Sequence, residues 1–391
     1  MNRPKLLVLA STYPAHVGDG TPQFVRDLAT VEALSYETTV LVPCVRGGAR
    51  QEVDGALSVR RFRYFPRRWE DLADGAILEN LRSRKSRWAQ VLPLFLAEVL
   101  AIRREVRASR PDVIHVHWLL PQGLAALIAA PRVPKLVTTL GGDVYGLRDP
   151  VSRRLFRAVI KNAVTVTAMN EDMRDRLLAL GADPATTVVL PMGADVAGIR
   201  PQAAAAERRR GRVLFVGRLV EKKGVSVLLE ALRLLDEPGY DVRVVGDGPL
   251  RPQLTRQAAG LPVTFAGSLG REALSAELGA ASIAVFPSVP AASGDQDGLP
   301  VAMLEAMSTG CAVLASDLPG LRDAVEDGTS GLLTAPASPE DLAGALARLL
   351  HDPDLCDRLG QAAAARAESF SVEAIGRRYV LLLDEVRERK N

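Results

Sequence analysis

The chain is poor in the residues that build staples and metal centres. Its 391 residues include only three cysteines and four histidines. Cys44, Cys311 and Cys356 are too few and too far apart for a disulfide framework or a zinc site, which fits a reducing compartment. With four histidines in all, a His-based metal centre is not expected either. No apolar run reaches 18 residues, so no membrane span is expected. The six-residue apolar run after Lys5 is too short for the core of a signal peptide, and a cytoplasmic location follows as the expectation. What is present is ordinary globular material: 48% apolar and 24% charged residues with 32 Gly and 25 Pro, which excludes disorder and fibrous repeats. At roughly 100 to 200 residues per domain, the length predicts two domains.

A net charge of +3 conceals an asymmetry. Residues 1–200 hold 28 Lys+Arg against 20 Asp+Glu, leaving 21 against 26 for the remainder, so the halves carry +8 and −5. Residues 60–110 alone contain 13 basic and 6 acidic residues, including Arg67-Arg68-Trp69 and Arg84-Lys85-Ser86-Arg87-Trp88. Basic residues beside tryptophan suit an anionic membrane surface, where indoles sit at headgroup depth. A solvated helical face is the plain alternative. Nucleic acid is not expected as a partner, because no recognition motif accompanies the charge.

Short β-branched runs at 5–10, 38–42, 113–117, 135–139, 164–167 and 187–190 read as buried strands. Helix-length segments at 23–34, 89–108, 152–161 and 171–180 lie among them. Such alternation predicts βαβ units and a parallel sheet covered on both faces. Residues 201–211 lack apolar periodicity, and the pattern then restarts with strands at 213–216, 241–245, 263–266, 283–286, 312–315 and 331–334. The expected class is therefore α/β with two Rossmann-like, doubly wound domains, 1–200 and 201–372. A C-terminal helix over 373–391 is expected to pack back on the first domain. Open α/β sheets bind ligands beyond the carboxyl ends of their strands, so the cleft between the domains is the expected site.

The sharpest motif is Asp297-Gly298-Leu299-Pro300-Val301-Ala302-Met303-Leu304-Glu305. Gly298, Leu299, Pro300 and Val301 would place free backbone N–H groups at a helix N-terminus, where the helix dipole favours an anion such as phosphate. Asp297 is expected at the mouth, accepting hydrogen bonds from sugar hydroxyls, with Glu305 about two turns along. Gly217-Arg218-Leu219-Val220-Glu221-Lys222-Lys223-Gly224 follows the first strand of the second half, and there Arg218 and Lys223 offer a planar fork and a point charge to phosphate oxygens. The alternatives are an acidic cap with a solvated glutamate, and a basic surface loop.

Together with the Gly246-Asp247-Gly248-Pro249 turn, Pro111-Asp112-Val113-Ile114-His115-Val116-His117-Trp118, Pro191-Met192-Gly193-Ala194-Asp195 and Gly310, these motifs resemble glycosyltransferase family 4 over almost the whole chain. The resemblance implies a GT-B fold and a retaining, metal-independent transfer from a nucleotide-diphosphate sugar, with no cofactor. The donor would lie mainly on the C-terminal domain and the acceptor mainly on the N-terminal one. It implies that Arg218, Lys223 and Asp297 are catalytic, the two cations stabilising the departing diphosphate. It also implies that Gly217, Gly246, Gly298, Leu299, Pro300, Val301 and Glu305 complete the donor site, Glu305 on the ribose. UDP-sugars are the commonest donors in the family, GDP-sugars next.

The first-domain loop departs from the pattern: adjacent glycines are replaced by Gly18-Asp19-Gly20, with His16 just before them as a candidate contact. Leu140 stands where many members have a histidine facing the donor sugar, and leucine has no polar side-chain atom to offer. Gly142 and Asp143 follow as candidate polar contacts, Asp143 equally as a helix cap. Glu326 resembles the acidic residue before the family's late glycine turn, or a solvated helix end. His115 and His117 alternate along a buried strand, which favours a core role. The expected activity is hexosyl transfer to a lipid-linked or saccharide acceptor in cell-surface polysaccharide or glycolipid assembly, with peripheral attachment to the inner face of the membrane. Its rivals are transfer to a soluble small molecule or secondary metabolite, an inactive nucleotide-sugar-binding protein, and a phosphorylase or epimerase on the same fold.

Overall fold

A computed structural model describes the chain except residues 1–2, 17–20, 76, 142–143, 146–148, 293 and 390–391, and the side chains of 78, 79 and 82. The chain divides into two compact units. One comprises Met1–Met169, Met173–Pro191 and Ile375–Asn391; the other comprises Asn170–Asp172 and Met192–Ala374. The segment expected to be a linker is in part structured: Pro201 sits inside the helix Val196–Ala204, and the next strand starts at Arg209. Apolar periodicity is weak there because Pro201 and the alanines leave only Val196, Ile199 and Ala203 to face inward.

The first unit is an eight-stranded sheet of β1 (Lys5–Leu9), β2 (Glu37–Pro43), β3 (Gln51–Asp54), β4 (Leu57–Phe62), β5 (Val113–His117), β6 (Lys135–Thr138), β7 (Thr165–Ala168) and β8 (Thr187–Val189), in the order 3-4-2-1-5-6-7-8. Every pairing is parallel except β3 with β4, an edge hairpin. That hairpin was not foreseen. Its strands carry Glu52, Asp54, Arg60 and Arg61, and charge at a sheet edge reads in sequence as exposed surface.

The second unit is a six-stranded parallel sheet of β9 (Arg209–Val216), β10 (Asp241–Val245), β11 (Val263–Gly267), β12 (Ala281–Phe286), β13 (Ala312–Ser316) and β14 (Leu332–Thr334), in the order 11-10-9-12-13-14. Counted within the unit this is 3-2-1-4-5-6, the doubly wound Rossmann order. Alternation along each strand divides its side chains between two cores. Val213, Phe215, Val242, Val244, Ile283 and Val285 pack with Leu228, Leu232 and Leu346 on one face. Leu214, Val245, Ala284 and Phe286 pack with Met303, Met307 and Ala363 on the other. Because both faces are covered, the strands read as continuous apolar runs. Strand order reverses between β9 and β12, which opens a crevice at their carboxyl ends.

Candidate active site

Two loops meet at that crevice in the second unit. The loop after β9 makes a turn of 3-10 helix over Glu221–Lys223 and closes at Gly224, whose φ of +63° lies in the left-handed region. A side chain on Gly224 would collide with the carbonyl of Pro287, so glycine is required for the loop after β12 to approach. The loops are tied by Val289 N–H donating to the Lys222 carbonyl at 2.9 Å and Ala292 N–H donating to Glu221 Oε1 at 2.9 Å. Gly246, at φ +131°, lies against the Gly217 carbonyl, and the stem of Lys223 passes over Gly217.

Charge is concentrated where the loops join. Lys223 Nζ lies 2.9 Å from Asp297 Oδ2, and Ser288 Oγ donates to the same oxygen at 2.6 Å. Lys222 Nζ is 3.1 Å from Asp295 Oδ2 and 3.9 Å from Asp297 Oδ1. Burial by itself would raise the Asp297 carboxyl, but the ammonium groups of Lys223 and Lys222 and the hydrogen bonds from Ser288 and Lys223 outweigh it and hold Asp297 below the usual carboxylate range. Arg218 lies on the same loop as the lysines, directly after Gly217, and burial lowers its guanidinium from the usual range.

The helix Val301–Ser308 begins here behind Pro300, with no side chain capping its start. Gly298 points its carbonyl inward, accepting from Asn170 Nδ2 at 3.3 Å, and Gly320 leaves room for it. The helix start thus presents backbone N–H groups and the positive end of its dipole just after the two lysines' partner Asp297. A group bearing several negative oxygens would be bound there by both.

The family profile described as "Glycosyl transferases group 1" matches residues 210–352, and that described as "Glycosyl transferase 4-like domain" matches residues 20–193. This chain belongs to that glycosyltransferase family. The alpha-D-kanosaminyltransferase of Streptomyces kanamyceticus is 30% identical over 339 residues, covering 78% of this chain and 80% of that protein. The amylovoran biosynthesis glycosyltransferase AmsK of Erwinia amylovora is 30% identical over 276 residues, covering 67% of this chain and 66% of that one. The structure of Anabaena HepE in complex with UDP and glucose superposes with a TM-score of 0.70 at 20% identity, covering 98% of this chain and 100% of the other. The fold is GT-B, built of two Rossmann-like units.

In the transferase, Gly217, Arg218, Lys223, Gly246, Asp297, Gly298, Leu299, Pro300 and Val301 all fall on the β9, β10 and β12 loops or at the helix start they support. Two expectations need correction. Asp297 is not at an open mouth: it is 6% exposed, and its carboxylate is taken up by Lys223 and Ser288. Glu305 lies about one turn into the helix, which begins at Val301 behind an extended Pro300. Ser288, Lys222 and Asp295 were missed. Ser288 is an unremarkable serine in sequence, and only its place after β12, at the reversal of strand order, marks it.

The carboxyl end of the first sheet is built differently. His115 and His117 are buried, as the strand alternation indicated. His115 Nδ1 lies 2.6 Å from Glu32 Oε1, and its Nε2 lies 2.8 Å from Thr138 Oγ1. Thr167 Oγ1 donates to Thr138 Oγ1 at 2.8 Å, and the Tyr379 hydroxyl, stacked by its ring on His115, donates to the Leu190 carbonyl at 3.0 Å. Burial pushes Glu32 well above the carboxylate range and His115 down to about 3, which favours the neutral form of each. His117 is likewise held neutral by burial, and neither of its ring nitrogens has a partner among the described residues. Leu140 is half-buried just past β6, and His16 is exposed. Gly18, Gly20, Gly142 and Asp143 lie outside the described residues. Glu326 is exposed, its backbone N–H bonded to Ser330 Oγ at 2.9 Å in a turn.

Proposed function

We propose that the transferase moves a sugar, with retention of configuration and without a divalent cation, from a nucleotide-diphosphate sugar to an acceptor hydroxyl in cell-surface polysaccharide or glycolipid assembly. The observation that carries this reading is the pairing of Lys222 and Lys223 with Asp295 and Asp297 just before the uncapped start of the helix Val301–Ser308, on the loop that also carries Arg218. As the bond between the sugar's anomeric carbon and the diphosphate breaks, its electron pair passes to the leaving phosphate oxygen. The acceptor oxygen forms the new bond from the same face, and its proton goes to that phosphate. Negative charge grows on the leaving group, and Arg218, Lys223 and the helix amides are placed to stabilise it. Asp297 is catalytic through Lys223, whose ammonium it holds in place, and Glu305 binds the ribose. UDP is the first candidate nucleotide, as the UDP complex of HepE suggests by analogy, with GDP second.

Arg218→Ala is expected to lower kcat by about 10² to 10³ while leaving the melting temperature unchanged. Turnover of the parent protein is expected to resist EDTA. Near-normal turnover of the variant, or abolition by EDTA, would overturn the assignment. The acceptor is read as lipid-linked or saccharide, presented at the inner face of the membrane by the basic, tryptophan-bearing segment of the first unit; AmsK, named for amylovoran biosynthesis, supports it. The kanosaminyltransferase keeps a soluble acceptor as the second reading.

A further inference from the structure

The basic segment proves to be two different things. Part of it is internal: the Arg61 side chain is fully buried, donating to Glu52 at 2.7 Å and to the carbonyls of Ala49 and Pro14. Arg60 pairs with Glu105 at 2.7 Å, and Arg87 with Asp71 at 2.9 Å. Arg61 and Arg87 are held within the unit, and Arg60, whose side chain is 42% exposed, is tied to the buried Glu105.

The rest forms one outward face. The helix Val91–Ser109 carries Leu92, Leu96 and Leu100 at 64, 51 and 50% exposure, and Trp88, one further step of four residues before them, is 62% exposed. Spacing of four places the three leucines along one stripe of the helix, and exposed Trp88 lies in the 3-10 turn Lys85–Gln90 that leads into it. The same side of the helix continues with exposed Arg103, Arg104 and Arg107, while its two carboxylates, Glu98 and Glu105, are buried on the opposite side. Arg84 and Lys85 are exposed just ahead of Trp88. Trp69, 53% exposed with Arg68 stacked over its ring, is held nearby because Asp71 accepts from Arg87 and from Gln90 Nε2 at 2.8 Å. The face is therefore leucine and tryptophan bordered by cations, without an outward carboxylate among the described residues of the helix.

We infer that this face is the surface by which the transferase lies on an anionic lipid bilayer, with Trp88 and Leu92, Leu96 and Leu100 entering the headgroup boundary and Arg103, Arg104 and Arg107 meeting lipid phosphates. An interfacial helix needs that combination of an apolar stripe and flanking cations, and long arginine side chains can keep their charge at the headgroups while their stems lie along the apolar zone. The orientation has a consequence. A helix that joins two parallel strands of one sheet runs against them, so the Trp88 end of this one, between β4 and β5, lies at the carboxyl edge of the first sheet. A helix lying along the bilayer keeps that edge close to the lipid surface. The inference deepens the reading of a membrane-presented acceptor and rests on it for its purpose, although binding to lipid does not depend on which acceptor is used.

The test is sedimentation of the full chain with phosphatidylcholine vesicles, with and without phosphatidylglycerol, at low and high salt. Binding is expected only with phosphatidylglycerol, to weaken with salt, and to shift tryptophan emission to the blue. The variant L92Q/L96Q/L100Q keeps helix-forming residues at exposed positions; it is expected to lose at least tenfold in vesicle partitioning while binding nucleotide normally. Lys223→Ala should show the reverse, sedimenting with vesicles but losing nucleotide, which separates failure of the surface from failure of the donor site. Vesicle binding without transfer to any lipid-linked acceptor would sink the acceptor reading and leave the surface standing. The surface is overturned if the parent fails to bind, if the triple variant binds as well as the parent, or if the parent is a dimer in lipid-free buffer that the triple variant dissociates, which would make this a contact between two copies.

Discussion

The two units place polar side chains at the carboxyl ends of similar parallel sheets and solve their electrostatics in opposite ways. In the second unit, Lys222, Lys223, Asp295 and Asp297 remain charged because each lies within reach of an opposite charge. In the first unit, burial drives Glu32, His115 and His117 toward their neutral forms, even though Glu32 and His115 lie only 2.6 Å apart. One topology therefore supports a cluster of ion pairs at one sheet and a buried hydrogen-bonded network at the other. Fold supplies the location of a site, and side chains decide its chemistry.

The sharpest way to break this contrast is Lys223→Ala. It removes the strongest partner of a 94% buried carboxylate, so it is expected to cost about 3 to 5 kcal/mol of stability and to reduce kcat/KM by at least about 10². Lys223→Arg should recover stability before activity, since it restores the charge but not the compact ammonium. Chemical denaturation and steady-state kinetics read the two effects separately, and an unaltered stability would show that Asp297 does not depend on this ion pair.

An intermediate effect is expected from Glu98→Gln in the first unit. Burial pushes the Glu98 carboxyl up to about 8, against a hydrogen bond with Gln122 that lowers it. Between about 4.5 and 8 the folded protein holds a proton that the unfolded chain releases, so stability falls as pH rises, by about 1.4 kcal/mol per unit at most. The variant removes that dependence and supplies an N–H for Gln122 Oε1, which has no partner among the described residues. Its melting temperature should exceed the parent's at pH 8 and converge with it near pH 5. His115, held at about 3, acts with the opposite sign, withdrawing stability as pH falls from 6.5 toward 3, and that acid-side loss should survive the substitution.

The smallest effect is expected from Ser288→Ala. Asp297 loses one hydrogen bond but keeps Lys223, so donor affinity should fall by about fivefold, equivalent to about 1 kcal/mol. A titration with nucleotide diphosphate checks it, and no change would remove Ser288 from the site.

Much of this was legible in the chain before it folded. Twelve of the strands announce themselves as β-branched runs because both faces of a parallel sheet are buried. The edge hairpin Gln51–Phe62 does not, since its charged residues look like solvated surface, and Arg61 turned out to be sealed inside by Glu52 and two carbonyls. The turn at Gly217–Gly224 and the helix start after Asp297 were readable because a glycine turn and a helix start are local devices, built from consecutive residues. The exposed leucine stripe was not, since a leucine at helical spacing is normally a core residue and sequence does not show which side faces water.

The sequence by itself determined the two doubly wound units and the residue types of the loops after β9 and β12, because periodicity, glycine conformation and helix ends act over a few neighbouring residues. The tertiary structure alone decided that Asp297 is buried behind Lys223 rather than open to a sugar, that Ser288 completes that pair, and that burial favours the neutral forms of Glu32 and His115. Those outcomes depend on partners 9 to 83 residues apart and on the loss of water around each charge, and desolvation exists only once the chain has folded.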